Sequence, residues 1–449
     1  MKGARDAAVS RLKSIDFASL SDGGIQAAED LKLLSEIGRS MLALEGLFYN
    51  YLTSQLSSWS VERELNIFQF FSLLEKQAGN DPSIEYVFSY ARALSSAVQA
   101  LEGWREGERS SLIRTAELAK GRDIISKIKD KGSAANVVRG HIASLFDREL
   151  AWGYYSRSRS QVEMINGFRI DQGLNTYFLS PGPQSLLAAD CSHRLIKKPS
   201  VAEMSLVFSM DAGFCSAYLP LVVHYARNLP EYNCHLVFAG DDCGLKACEE
   251  MLWLLVDAQE KCAGRRMENI SYSTMKVPDL VRDKATFYAC ARYLAALDLI
   301  GFFSGIYIMD VDVQFTKAPA KFFSELMGRP LCLPETRSLA QIIPWRRYMA
   351  GNVFVSNSSE GREFIGVVCN YISAGLVCDN SWTLDQNALC YALERTKINH
   401  FDLNNLDRPG VQQRINKLFE SNMPGWWVGG VSRVGQLSHR LRRLRWRIR

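Results

Sequence analysis

The stretch Ile306-Tyr307-Ile308-Met309-Asp310-Val311-Asp312-Val313-Gln314-Phe315 decides how the chain is read. Four apolar residues in a row predict a strand covered on both faces, and two acids end it. Asp310 and Asp312 share a parity, so the spacing predicts both carboxylates on one side and Val311 on the other. Two like charges so placed are costly unless positive charge lies between them. A hard divalent cation, magnesium or manganese, is the natural partner: it takes carboxylate oxygens and keeps positions open for phosphate. In an open α/β sheet, ligands collect outside the carboxyl ends of the strands. A solvated strand end with two acids by chance fits the same short pattern, so the surrounding chain has to arbitrate.

Upstream, residues 284–300 predict a helix with an apolar face of Phe287, Cys290, Ala291, Leu294 and Leu297. Arg292 lies in a partly apolar stretch of it, where a cation either reaches a diphosphate or sits on the solvent side. Earlier still, 204–210 predicts a buried strand ending in Asp211-Ala212-Gly213. A helix over 215–228 and a strand over 234–239 follow, ending in Gly240-Asp241-Asp242. Strand, helix and strand at this spacing make a βαβ unit with a parallel sheet. Asp211 is then placed either to bond a base or ribose or to act as a turn acid. No G-x-G-x-x-G follows the strand and no G-x-x-x-x-G-K-[ST] occurs, which excludes the usual dinucleotide-binding and P-loop patterns.

Downstream come a short strand over 330–333, a loop with Trp345-Arg346-Arg347, and a strand over 350–355 that starts Ala350-Gly351-Asn352. Gly351 lets backbone approach a ligand closely. A helix over 360–375 follows, and Trp382-Thr383-Leu384-Asp385-Gln386-Asn387 starts another. Thr383 with Gln386 three residues on matches a capping box, a structural role that competes with a functional one for Gln386.

The first 150 residues carry helical periodicity only, as in Leu34, Ile37, Met41, Leu44, Phe48 and Tyr51. Loose echoes of a 34-residue repeat accompany it. All eleven cysteines lie between Cys191 and Cys390, so the two halves differ in kind. Without a Cys-x-x-Cys pair zinc is disfavoured, and reduced, mostly buried thiols are expected. The domains read as a helical interaction or oligomerisation unit (1–150), a connector (151–200), an α/β unit (201–432) and a basic tail (433–449).

At 449 residues with 47% hydrophobic and 22% charged, the composition is that of a globular protein. Without an apolar leader or a run of about 18 apolar residues, a cytoplasmic location is expected. The net charge of +5 is local: seven arginines fall in the last seventeen residues, and 5 − 7 leaves −2 for the rest, so no nucleic-acid partner is expected. The tail alternates arginines with Leu441, Leu444, Trp446 and Ile448, which suits an anionic membrane surface, a solubilising tail or self-docking. A location peripheral to the inner face of a membrane follows from the first of these.

The order of these parts resembles the GT-A glycosyltransferases, closest to glycosyltransferase family 8, the glycogenin and bacterial lipooligosaccharide galactosyltransferase type. The matching residues are Asp211, Arg292, the Asp-x-Asp of Asp310 and Asp312, Ala350-Gly351, and Asp385-Gln386, over about residues 204–430. The family's asparagine before Ala-Gly is Met349 here, and its second acid after Asp-Gln is Asn387. Its late metal-binding histidine falls near Gly425 to Gly430, where Trp426 stands; His400 and His439 are alternatives, and Arg433 replaces the following lysine.

The resemblance implies a GT-A fold with a mixed, mainly parallel sheet behind a helical bundle or repeat-like domain. It also implies a metal-dependent hexosyltransferase that moves a sugar from a nucleotide-diphosphate sugar, a UDP-sugar first, to an acceptor hydroxyl. Asp310 and Asp312 would hold Mn2+ or Mg2+. Asp211, Arg292, Gly351 and Arg433 would bind the donor, and Asp385 and Gln386 would be catalytic. A retaining reaction with Gln386 beside the anomeric carbon is expected, and an inverting one with Asp385 as base is the alternative. Acceptors expected are a glycan, a lipid-linked or a protein acceptor, as in bacterial glycan or glycoconjugate synthesis, with a protein partner on the helical domain. Two other classes stay open: a catalytically decayed transferase-fold scaffold, and a nucleotidyltransferase, whose basic residue after the first strand is missing from Asp211-Ala212-Gly213-Phe214.

Overall fold

The structure, a computed structural model, describes residues 61–78, 82–100, 118–164, 169–177, 193–199, 202–264, 266–315, 318–379, 381–406 and 411–413, with a few single residues before 53. The chain divides into two compact units, Met1–Ser180 with Thr336–Arg347, and Pro181–Glu335 with Tyr348–Arg449.

In the second unit, strands β1 (His193–Lys197), β2 (Met204–Met210), β3 (Asn233–Gly240), β4 (Ile270–Lys276), β5 (Gly305–Met309), β7 (Leu331–Leu333), β8 (Asn352–Ser356) and β9 (Phe401–Asp402) form one sheet. Its order is β1-β4-β3-β2-β5-β8-β7-β9. β4, β3, β2 and β5 run parallel, while β8 runs antiparallel to both β5 and β7. The α/β reading therefore stands, with a mixed sheet. β2 and β3 are buried along their whole length, as the unbroken apolar runs required. β6 (Val313–Phe315) pairs separately with β10 (Val411–Gln413).

Helices cover both faces. Leu206 and Phe208 of β2 pack with α6 (Ala212–Asn228) and α7 (Asp242–Ala263) in one core. Ser209, of the other parity, donates to the Tyr288 carbonyl of α8 (Lys284–Leu299) on the opposite face. There α8 packs against α9 (Ser359–Gly375), and α9 against α10 (Leu384–Thr396). The helices that follow β2, β3 and β4 are each capped by an acid: Asp211 caps α6, Asp241 caps α7 and Asp283 caps α8.

The chain order fixes where a ligand crevice opens. From β2 it winds outward through β3 to β4, then α8 carries it back across to β5 on the other side of β2. That reversal is a topological switch point. β2 stays paired with β3 up to Met210–Phe238, but its pairing with β5 stops at Val207–Ile308, so the two strands part toward their carboxyl ends.

Two expectations need correction. The stretch Ile306–Phe315 is not one strand: β5 ends at Met309, and Asp310 to Asp312 form a turn into β6. Leu297 is exposed rather than on the buried face of α8, because the buried arc runs through Ala291, Ala295, Ala296 and Leu299 and Leu297 falls outside it beside exposed Asp298. Within 151–200, the stretch read as a connector, lie most of α5 (Arg148–Met164), the 3-10 stretch Arg169–Thr176 and β1.

In the first unit the described elements are helices: α1 (Val61–Ala78), α2 (Pro82–Ala100), α3 (Leu118–Lys127), α4 (Ser133–Ala143), α5 and a 3-10 stretch, Arg169–Thr176. Its core is aromatic and contains a segment from far down the chain. Trp345, between β7 and β8 in sequence, is fully buried, edge-on to His141 at 5.3 Å and tilted against Tyr155 at 5.7 Å. Gly173 makes room for it, since a Cβ there would lie 2.1 Å from the indole. The periodicity over 34–51 falls largely outside the described residues, of which 47, 48 and 50–52 are helical. Among the described residues no helix is long and apolar enough to cross a membrane.

Candidate functional site

The turn after β5 is shaped by its neighbour across the sheet. The Asp310 amide donates to the Gly351 carbonyl at 3.0 Å, and the Val313 amide to the Asp310 carbonyl at 3.2 Å. The Asp310 carboxylate lies against Gly351 itself: a Cβ there would sit 2.2 Å from Asp310 Oδ2. Gly351 thus admits the acid of the candidate site.

Arg292 comes up from α8 and is almost completely buried. Its Nη1 bonds Asp310 Oδ1 at 2.7 Å, and its Nη2 bonds Asp385 Oδ2 at 3.2 Å and the Ala350 carbonyl at 3.4 Å. Tyr293 donates to that carbonyl at 2.6 Å. Burial opposes the guanidinium charge, but Asp310, Tyr293 and Asp385 outweigh it and hold the pKa above its ordinary value. One cation therefore ties the β5 turn, the entry to β8 and the start of α10 together. The structure places Arg292 against two carboxylates and a carbonyl of the protein itself, partners that the sequence reading did not anticipate. The missed signal was the helix, whose Ala285, Ala289, Ala291, Ala295 and Ala296 mark it as inner-packed, so that an arginine there is buried and paired.

Asp385, in the first turn of α10, accepts from Arg292 on Oδ2 and from the Gln386 amide on Oδ1 at 2.9 Å. Burial raises its pKa, Arg292 lowers it, and Asp310 raises it again, for a net shift upward. Thr383 stands at the N-cap, but at φ 71° and without a side-chain cap bond, so the predicted capping box does not form. A β-branched residue there costs about 1–3 kcal/mol. The Ser381 and Thr383 hydroxyls and Gln386 Oε1 are buried without a partner, as is Arg292 Nε. Each such neutral group costs about 1–3 kcal/mol. Between the two hydroxyls, Trp382 is half exposed.

Across the crevice, Asp211 follows β2 and accepts from the Phe214 amide at 2.8 Å, so it does serve as the turn acid. Tyr288 of α8 lies near Asp211 and Asp241; burial and then these acids raise its phenol pKa. Phe214 and Met349 are exposed at the same edge. No protein-family model matches the chain, and no curated protein is similar enough to it to count as a relative. The site is therefore read from its own geometry.

A divalent cation fits the donor set in a limited way. Two carboxylates in one turn suit magnesium or manganese, which keep other positions for water and phosphate. Asp310 already shares one oxygen with Arg292, and among the described residues no group of three His, Cys, Asp or Glu side chains is gathered for a metal. His400 does not supply the third ligand: its Nε2 bonds Glu335 Oε1 at 2.7 Å and its ring stands edge-on to Tyr348. Trp426, Arg433, His439 and the basic tail lie outside the described residues.

Proposed function

We propose that the chain is a metal-dependent glycosyltransferase of GT-A type, transferring a sugar from a nucleotide-diphosphate sugar, a UDP-sugar first, to an acceptor hydroxyl. The observation that carries this reading is Arg292, buried and joined at once to Asp310, Asp385 and the Ala350 carbonyl. Motifs spread over about a hundred residues meet at one guanidinium, beside the crevice where the strand order reverses.

Each residue then has a task. Asp310 and Asp312 would hold a magnesium or manganese ion, which supplies Lewis-acid stabilisation of the leaving diphosphate. Arg292 would hold the Asp310 carboxylate in place, and Gly351 gives it room. Asp211, Tyr288 and Phe214 border the crevice on the β2 side, where a base or ribose would lie. Both oxygens of Asp385 are engaged, which argues against it as the free base of an inverting reaction. The retaining course, with the Gln386 amide beside the anomeric centre, is the one this leaves.

A second reading rests on one observation: Arg292 already gives Asp310 a positive partner within the protein. A transferase fold kept for binding alone would look the same there. Calorimetric titration of UDP and GDP, each with Mn2+ and each with chelator, separates the readings. The proposal expects cation-dependent binding of at least one. Absence of nucleotide binding under every condition would overturn it.

A further inference from the structure

We propose that the start of α10 is a two-state switch, whose second state closes a Thr383–Gln386 capping box and frees Asp310 for a cation. Three buried polar atoms there have no hydrogen-bond partner in the protein: Thr383 Oγ1, Gln386 Oε1 and Arg292 Nε. Asp385 joins them, because its Oδ1 accepts from the Gln386 amide at 2.9 Å and its Oδ2 from Arg292 Nη2 at 3.2 Å. Thr383 itself is held at φ 71° and ψ 15°, a left-handed backbone that a β-branched residue rarely takes. The link to a cation rests on the proposed function; the switch itself does not.

One rearrangement pairs all three atoms. Thr383-Leu384-Asp385-Gln386 has the T-x-x-Q spacing of a capping box. When the Thr383 backbone turns to the extended conformation of an N-cap, its hydroxyl accepts from the Gln386 amide, and Gln386 Oε1 accepts from the Thr383 amide. The Asn387 amide already donates to the Thr383 carbonyl at 3.1 Å, so the helix beyond is in register for a cap. Losing the Gln386 amide frees Asp385 Oδ1. Nε and Nη2 share one edge of a guanidinium, an edge that a carboxylate grips with two parallel bonds. With Oδ2 already on Nη2, the freed Oδ1 is the natural acceptor for Arg292 Nε. The bond given up is that of the Leu384 amide to the Ser381 carbonyl, at 3.0 Å.

The two states differ in what neutralises Arg292. In the present one the guanidinium is shared, with Asp310 Oδ1 on Nη1 at 2.7 Å and Asp385 on Nη2. A buried guanidinium needs its carboxylates, so Asp310 stays tied while Asp385 is only half available. Once Asp385 takes the Nε–Nη2 edge with both oxygens, Asp310 can turn to a cation shared with Asp312. A cation that binds Asp310 therefore favours the closed box, and relief of the strained Thr383 backbone adds to it. Gln386 is fixed through Oε1 in that state, with its Nε2 left for a substrate.

The test follows Trp382, whose half-exposed indole directly precedes Thr383, in the full chain labelled with 5-fluorotryptophan. Trp382→Phe assigns its fluorine resonance, and Mg2+ is used in place of paramagnetic Mn2+. Saturation transfer on the free protein is expected to show a minor state, about 0.1–10% of the population. That state is expected to become the major one with UDP or GDP and Mg2+. Thr383→Gly takes the left-handed backbone without strain and has no hydroxyl, while Gln386→Ala keeps Thr383 and removes the other half of the box. Both variants are expected to lose the minor state, and Thr383→Ser to keep it. A single Trp382 resonance in wild type, free and with nucleotide, would overturn the switch, as would a minor state unchanged in both Thr383→Gly and Gln386→Ala. A minor state that both variants lose but that UDP, GDP and Mg2+ leave unmoved would uphold the switch and count against a cation site at Asp310.

Discussion

Arg292 shows how one buried charge organises three stretches of chain. A guanidinium away from water is tolerable only with carboxylates in place, and Asp310 and Asp385 provide them at 2.7 and 3.2 Å. Arg292→Ala should cost about 3–5 kcal/mol, because it leaves Asp385 buried without its counter-charge. Chemical denaturation of the purified variant checks this; a loss below about 1 kcal/mol would mean the network is loose. Arg292→Lys keeps the charge but replaces a planar fork with a point, so it should fold and yet fail to hold both acids. The fingerprint of that failure is weaker cation-dependent nucleotide binding, with a melting temperature lowered less than in Arg292→Ala.

Among the elements, the β5 turn and the entry to β8 act as a pair. Gly351→Ala would put a methyl group within 2.2 Å of Asp310 Oδ2, so the acid or the strand has to move. The expected result is impaired cation-dependent nucleotide binding together with destabilisation of about 1–3 kcal/mol; a crystal structure of the variant with Asp310 unmoved would contradict it. The strands and helices of the α/β unit were legible because their apolar runs match their final burial, as in Met204–Met210. The turn at Asp310 to Asp312 was not, since a period of two continues through a short turn whose middle residue, Val311, is still buried. Nor was Thr383, whose neighbours satisfy a capping pattern that its left-handed backbone leaves unused. The segment 336–347 escaped for another reason: Trp345 fits against Gly173 and His141, about two hundred residues away, and no local pattern records such a partner.

Considered as a whole, the molecule buries several titratable groups that couple its stability to pH. Asp171, in the core of the helical unit, accepts from Tyr86 at 2.5 Å, has a second oxygen without a partner, and is pushed by burial to a pKa of about 7. Its ordinary value is 3.8, so between roughly pH 4 and 7 the folded state holds a proton that the unfolded state has lost. Over that window its contribution to stability falls as pH rises, by at most about 1.4 kcal/mol per unit. His141, His224 and His235 act oppositely: burial lowers each to about 3, so their contribution is lost as pH falls below about 6.5. The difference between wild type and Asp171→Asn cancels the histidines. Asp171→Asn should gain stability relative to wild type as pH rises from 4 to 7, read from denaturation midpoints; a flat difference curve would contradict the buried acid. For the α/β unit, the decisive experiment is nucleoside diphosphate release from a panel of nucleotide sugars, with Mn2+ and with chelator, for wild type and Asp312→Asn. The proposed function predicts release from at least one nucleotide sugar, abolished by chelator and reduced about a hundredfold or more in Asp312→Asn, with the fold intact. Release from none, or release indifferent to both chelator and Asp312→Asn, would contradict it.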